Sequence, residues 1–215
     1  MNNKENKTFN PEDTEKSFQF IRSVVNPLFR FYYNPEVIGA ENIPADGSIV
    51  IAGNHKHIMD QCSVFLATKR TIHYMAKKEY FDGKFAFFFR AAGCIPVDRS
   101  KRDLSCAMSA MRVLKSGGAI GIFPEGTRNK TDEFLLPFKS GTVSMAQKTH
   151  SLIVPFGVAG DYKFRSKNLR VVIGKPFDPS KMTSEEANKK LRDEIGRLML
   201  EAQGNTDEKS KRKGA

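Results

Sequence analysis

No stretch of this 215-residue chain reaches 18 uninterrupted apolar residues, which argues against a membrane-spanning helix by hydropathy. The polar first residues do not read as a secretory signal peptide, so none is expected, and cysteine is scarce. Cys62, Cys94 and Cys106 form an odd set of three without the CxxC spacing of a metal site. Together these absences point to a reducing, cytoplasmic setting. Histidine is nearly as rare, limited to positions 55, 57, 73 and 150. No Gly-x-Ser-x-Gly elbow occurs, and Cys94 has no evident partner, so thioester hydrolysis through a nucleophile lacks support. Acidic residues are in deficit, 24 against 35 Lys and Arg, for a net charge of +11. Residues 1–17 and 204–215 contribute −1 and +2, which leaves +10 on the body. A basic body expects an anionic partner: nucleic acid, a phosphorylated substrate or an acidic membrane surface.

The length fits one domain with a sizeable core. Residues 1–13 are polar and lysine-rich and read as a disordered tail. From Thr14 to Asn34 the chain becomes an amphipathic helical segment. Phe18, Ile21, Val25, Leu28 and Tyr32 recur at helical steps, and Asn26-Pro27 predicts that one helix ends there and another starts. Strands are predicted over 48–53, 71–76, 94–98, 119–123, 152–158 and 169–173, and helices over 58–68, 84–92, 102–116, 141–149 and 184–202. The last helix opens on a capping box, Thr183 to Glu186, and Gly117-Gly118 suits a helix C-cap. Such alternation predicts an α/β fold: a single layered domain, 35–203, with a largely parallel central sheet flanked by helices, preceded by the amphipathic segment. Residues 204–215 read as a basic solvated tail.

Four blocks could carry chemistry. Ile49-Val50-Ile51-Ala52 is a buried strand, Gly53 can turn the chain sharply, and Asn54-His55-Lys56-His57-Ile58-Met59-Asp60 follows. A histidine past a strand end, five residues before a carboxylate, fits a general base with its orienting partner if His55 lies in the turn and Asp60 in the first turn of a helix. The alternative is a helix N-cap with a hydrogen-bonded surface histidine. Gly93 to Arg99 is a short strand ending in Asp98-Arg99, either a phosphate clamp through Arg99 or a surface ion pair. Phe123-Pro124-Glu125-Gly126-Thr127-Arg128 gathers a carboxylate, a glycine, a hydroxyl and a guanidinium, as a polyhydroxy-phosphate cradle or an ordinary polar turn. Leu152 to Gly157 is a strand with an internal proline, suited to an edge, a bulge or an open channel.

In this order and spacing the four blocks resemble the glycerolipid acyltransferase family, over residues 49–158. Its Asn-His-x4-Asp motif matches Asn54, His55 and Asp60; its second motif matches Gly93, Ile95, Val97, Asp98 and Arg99. Its Phe-Pro-Glu-Gly-Thr-Arg motif is met in full, and Val154-Pro155-Phe156 meets the fourth. The resemblance implies acyl transfer from a thioester, acyl-CoA or acyl carrier protein, to the sn-2 hydroxyl of 1-acyl-sn-glycerol 3-phosphate. It implies His55 as base, Asp60 as partner, and Arg99, Glu125, Gly126, Thr127 and Arg128 on the acceptor, with Lys77 and Lys139 as further basic residues. Backbone N–H groups near Lys139-Ser140-Gly141 would meet the oxyanion. It implies no cofactor and no metal. Another acceptor, such as glycerol 3-phosphate or another lysolipid, is the main alternative.

His57 departs from the simple pattern. His55-x-His57 with Asp60 has a metal-binding look, but no histidine follows Asp60, and His57 is read as a surface or substrate-rim residue. The basic residues are scattered and the aromatics lie in apolar stripes, so nucleic acid is not the expected partner. An anionic membrane surface is, which places the protein peripherally on the inner face of the membrane. Segment 14–33 and the phenylalanine cluster Phe85-Phe87-Phe88-Phe89 are the candidate contacts.

Overall fold

The structure, a computed structural model, describes residues 14–98, 100 and 103–211, with side chains through 204. The expected tail 1–13, Arg99 and residues 212–215 lie outside the described residues. Seven strands form one sheet in the order β1-β7-β6-β2-β5-β3-β4. The strands are β1 (Glu36–Ile38), β2 (Ile49–Gly53), β3 (Ile72–Lys77), β4 (Ile95–Val97), β5 (Ala119–Ile122), β6 (Leu152–Ala159) and β7 (Arg170–Ile173). All neighbours pair in parallel except β6 and β7, so the sheet is largely parallel, as the strand–helix alternation predicts. The helices are α1 (Glu15–Tyr33), α2 (Asp60–Phe65), α3 (Ala86–Ala91), α4 (Leu104–Lys115), α5 (Gly141–Thr149) and α6 (Ser184–Lys211).

Side chains alternate faces along a strand, and β2 shows the consequence. Val50 and Ala52 pack with Ala110, Val113, Val143, Ala146, Leu191 and Ile195 of α4, α5 and α6. Ile49 and Ile51 face the other way, toward Phe29 of α1 and Cys62 and Val64 of α2. Five consecutive buried residues in β2 are thus a strand covered on both faces, the usual state of a parallel sheet. The capping box forms as read, with Glu186 N–H donating to Thr183 Oγ1 and Thr183 N–H to Glu186 Oε2 at 2.8 Å. α6 buries Ala187, Leu191, Ile195, Leu198 and Ala202 and runs on to Lys211, into the stretch expected to be a tail.

Three local readings are corrected. First, α1 does not break at Asn26-Pro27 but continues through Pro27. Asn26 caps nothing: its side-chain N–H donates to Phe65 O at 3.1 Å, and Arg22 Nε donates to the same carbonyl at 3.3 Å. Those tertiary bonds, with Phe18 and Phe29 buried on the domain, hold the turn that proline weakens. Second, Gly53 ends β2 without turning it; a Cβ there would lie 2.4 Å from the Phe156 ring, so close approach is what requires glycine. Third, Pro155 sits in an inner strand, between β2 and β7, which excludes an edge position, and the pairing shifts by one residue from Phe156–Ile173 to Ile153–Phe177 around it, as at a bulge. The Pro155 carbonyl accepts from Gly174 N–H at 2.8 Å, just beyond the last β6–β7 pair, Phe156 with Ile173, so the missing N–H falls where that ladder stops. β1, only three residues long, carries too little pattern to be read; it is pinned by Glu36 against the buried Arg170 at 2.9 Å.

Candidate active site

The carboxyl ends of β2, β3, β4 and β5 lie along one edge, where ligands of open α/β sheets gather. At the end of β2, Asn54 extends the ladder with its side chain: Nδ2–H donates to Val158 O at 3.0 Å and Oδ1 accepts from Val158 N–H at 2.7 Å. This fixes the departure of the next residue. His55 Nδ1 then lies 2.8 Å from Asp60 Oδ2, with Asp60 the first residue of α2 and 0% exposed. The same oxygen accepts the Lys56 and His57 N–H groups, each at 2.8 Å, and Oδ1 accepts the Tyr162 hydroxyl at 2.6 Å. A carboxylate offers about four acceptor positions, and four donors are aimed at this one. Because the carboxylate only accepts, the proton of the neutral imidazole resides on Nδ1 and Nε2 keeps its lone pair. Phe123 stacks on the ring at 3.9 Å between centroids and 10° between planes, which sets its orientation.

The segment after β5 embraces this turn. Glu125, buried, accepts His55 N–H on Oε1 at 2.8 Å and Leu136 N–H on Oε2 at 3.0 Å, while Asn129 N–H donates to His55 O at 2.7 Å. Gly126 adopts φ 70°, and a Cβ there would meet Lys139 Nζ at 2.8 Å, so the lysine side chain crosses the glycine. Thr127, Arg128 and Lys139 are exposed around this turn. Lys77, at the end of β3, is also exposed and faces Glu79 at 3.6 Å. The structure therefore brings His55, Asp60 and Glu125 into one hydrogen-bonded unit, with Gly126 to Arg128 and Lys139 beside it. Lys77 stands at the same sheet edge with an acidic partner of its own.

His57 is half-buried. Its ring stacks on Tyr162 at 4.2 Å, and its Nδ1 accepts from Met59 N–H at 3.3 Å. Burial lowers its pKa, the Asp60 charge partly offsets this, and Arg128 and Lys56 lower it further. Burial pushes the thiols of Cys62, Cys94 and Cys106 up to about 12, so none is a thiolate nucleophile near neutral pH. Among the described residues, no group of three or more His, Cys, Asp or Glu is arranged to hold a metal ion. Sequence reading missed Tyr162, Phe123 as a stacking partner and the strand-extending role of Asn54. An aromatic residue at 123 and a tyrosine beyond the fourth block are visible, but nothing local says where they point.

An acid-oriented imidazole at a strand end, set against a Glu-Gly-Thr-Arg turn, defines the class, and the sequence agrees. The acyltransferase family profile matches residues 34–159, and the chain belongs to that family. Among its relatives, the 1-acyl-sn-glycerol-3-phosphate acyltransferase of Bacillus subtilis (strain 168) is 28% identical over 200 residues, spanning 89% of this chain and 99% of the relative. The enzyme of the same name from Borreliella burgdorferi is 35% identical over 136 residues, 62% of this chain and 54% of its own length. The crystal structure of the 1-acyl-sn-glycerophosphate acyltransferase PlsC from Thermotoga maritima superposes with a TM-score of 0.73 at 24% identity, over 89% of this chain and 82% of that one. At that identity the likeness speaks for the fold.

Proposed function

We propose that this enzyme moves a fatty acyl group from a thioester donor, acyl-CoA or acyl carrier protein, to the sn-2 hydroxyl of 1-acyl-sn-glycerol 3-phosphate, giving phosphatidic acid. The observation that carries the reading is the 2.8 Å contact of His55 Nδ1 with the buried Asp60, which leaves Nε2 as the base. The acceptor is drawn from the names of the two relatives. His55 Nε2 takes the proton from the acceptor hydroxyl as its oxygen attacks the thioester carbonyl. The tetrahedral oxyanion collapses, the carbon–sulfur bond breaks, and the proton on Nε2 passes to the leaving thiolate. No acyl-enzyme forms, in keeping with three thiols held protonated.

Thr127, Arg128 and Lys139 are assigned to the acceptor's glycerol phosphate, because they are the exposed groups beside the base. Arg99 shares that assignment by resemblance alone. Glu125, expected to bind substrate, is assigned instead to hold the His55 turn, since each of its oxygens already accepts a backbone N–H. Lys139 N–H is spent on Pro124 O, so oxyanion donors are sought in the first turn of α5, which has no side-chain cap.

The same reading places the protein on the inner face of a membrane. Among the described residues no helix is long and apolar enough to cross one. α1 buries Phe18 and Phe29 on the domain, yet Phe20, Leu28 and Phe31 are each more than 60% exposed, an outward stripe at helical spacing. Phe85, Phe87 and Phe88 are also exposed. Changing Phe20, Leu28 and Phe31 together to Ser is expected to weaken binding to anionic phospholipid vesicles at least ~10³-fold, at about 1.5–3 kcal/mol for each apolar side chain removed. Unchanged binding refutes the contact. Incubation with labelled lysophosphatidic acid and each donor in turn tests the reaction. Phosphatidic acid is expected, and faster acylation of glycerol 3-phosphate or another lysolipid overturns the acceptor.

A further inference from the structure

Tyr162 lies outside every block read from the sequence, yet it is the second side chain on the Asp60 carboxylate. Its hydroxyl alone takes Oδ1, at 2.6 Å, while His55 and the two backbone N–H groups share Oδ2. The oxygen of the buried Ser63 hydroxyl stands 3.3 Å from the tyrosine oxygen, which allows a chain of hydrogen bonds from Ser63 to Tyr162 to Asp60, each polarising the next. The ring is clamped between two neighbours. His57 stacks on it at 4.2 Å and 18°, and Tyr33 of α1 meets it edge-on at 5.5 Å and 79°.

The backbone that carries Tyr162 is fastened as well. Arg165 N–H donates to Tyr32 O at 2.7 Å, and Phe164 packs edge-on against Phe31 and Tyr32 of α1. Arg165 at φ 47° and Lys167 at φ 62° hold left-handed conformations that residues with side chains keep only where their surroundings fix them. The connection from β6 to β7 is therefore shaped at both ends, by α1 and by Asp60.

We propose that Tyr162 is a positioning residue for acyl transfer, whose hydroxyl fixes the plane of the Asp60 carboxylate and shares its charge. The proposal rests on the general-base reading of His55. Three donors already sit on Oδ2, and the Tyr162 hydroxyl is the donor that meets Oδ1, so it holds the second oxygen in place and draws part of the carboxylate charge away from the histidine side. The hydroxyl stays a donor throughout an assay range, because burial and the Asp60 charge raise its ionisation far above neutral. The other titratable groups around the pair are Lys56, Arg128, His57, Cys62, Tyr33, Tyr74 and Glu125. Cys62 stays a thiol, and burial disfavours the charged form of His57.

Tyr162→Phe keeps both ring contacts and deletes only the hydroxyl. With lysophosphatidic acid and acyl-CoA, kcat is expected to fall about tenfold while acceptor KM stays within about twofold. The acid limb of the rate profile is expected to move to higher pH, because an undivided carboxylate charge better stabilises the protonated imidazole. Ser63→Ala is expected to act in the same direction and less strongly. A structural role alone would lower the melting temperature and the folded fraction without moving the limb. Wild-type kcat and an unmoved limb in folded Tyr162→Phe, beside an inactive His55→Ala, overturn this inference while sparing the general base. An active His55→Ala overturns both.

Discussion

Asp60 and the cationic rim lie a few residues apart in the fold and are built on opposite terms. Asp60 is wholly buried with four donors on its two oxygens, and the turn that carries His55 is tied down by Asn54, Glu125 and Asn129. Thr127, Arg128 and Lys139 stand exposed beside it. Under the proposed mechanism the difference separates two tasks. A general base works only if its lone pair is already aimed, so the structure fixes it in advance. A phosphate can be captured by mobile cations from solvent, and exposed charges provide that at the expense of salt sensitivity. Substitutions at the first region should therefore change kcat, and those at the second KM.

His55→Ala should break the comparison most severely. Loss of the base is expected to lower kcat by about 10²–10⁴-fold with the fold intact, checked by steady-state rates beside circular dichroism. Arg128→Ala and Lys139→Ala should sharpen it. Each is expected to raise acceptor KM about tenfold, to leave kcat near wild type, and to reduce the salt dependence of kcat/KM; a fall in kcat at constant KM would place these cations in the chemistry instead.

The smallest effect concerns stability. Burial lowers the pKa of His57, and of His73, where a hydrogen bond to Gly93 O partly offsets it. A histidine whose folded pKa is depressed binds protons more readily when unfolded, so its contribution is complete above the unfolded value of about 6.5 and is lost as pH falls below it. The melting temperature should be level between pH 7 and 8 and drop by a few degrees toward pH 5. His73→Gln should blunt that drop.

The parts of this arrangement that were legible are those whose cause is local. Apolar runs bounded by glycine mark β2 and β5, the Thr183–Glu186 pair marks the start of α6, and strand–helix alternation brings His55 and Glu125 to one edge. The illegible parts have distant causes. Pro27 should end a helix, but Phe65 O, 39 residues from Asn26, receives bonds that hold it. The hydrogen bonds of Glu125 to His55 and Leu136 N–H, 70 and 11 residues away, leave no local signal. Tyr162 reaches Asp60 across 102 residues, and no periodicity records such a contact.

The central claim is that Asp60 and His55 act as one unit, and Asp60→Asn tests it most directly. The Lys56 and His57 N–H groups hold the amide oxygen where Oδ2 now sits, so the imidazole keeps its tautomer; the charge is lost, and the amide nitrogen turns to Tyr162 and donates to its hydroxyl, reversing that hydrogen bond. The rate–pH profile at saturating acceptor is then predicted to show kcat lower by roughly 10–10³-fold, with its acid limb moved to lower pH, as the protonated imidazole loses its counter-charge. An unchanged kcat with an unmoved acid limb would contradict the account.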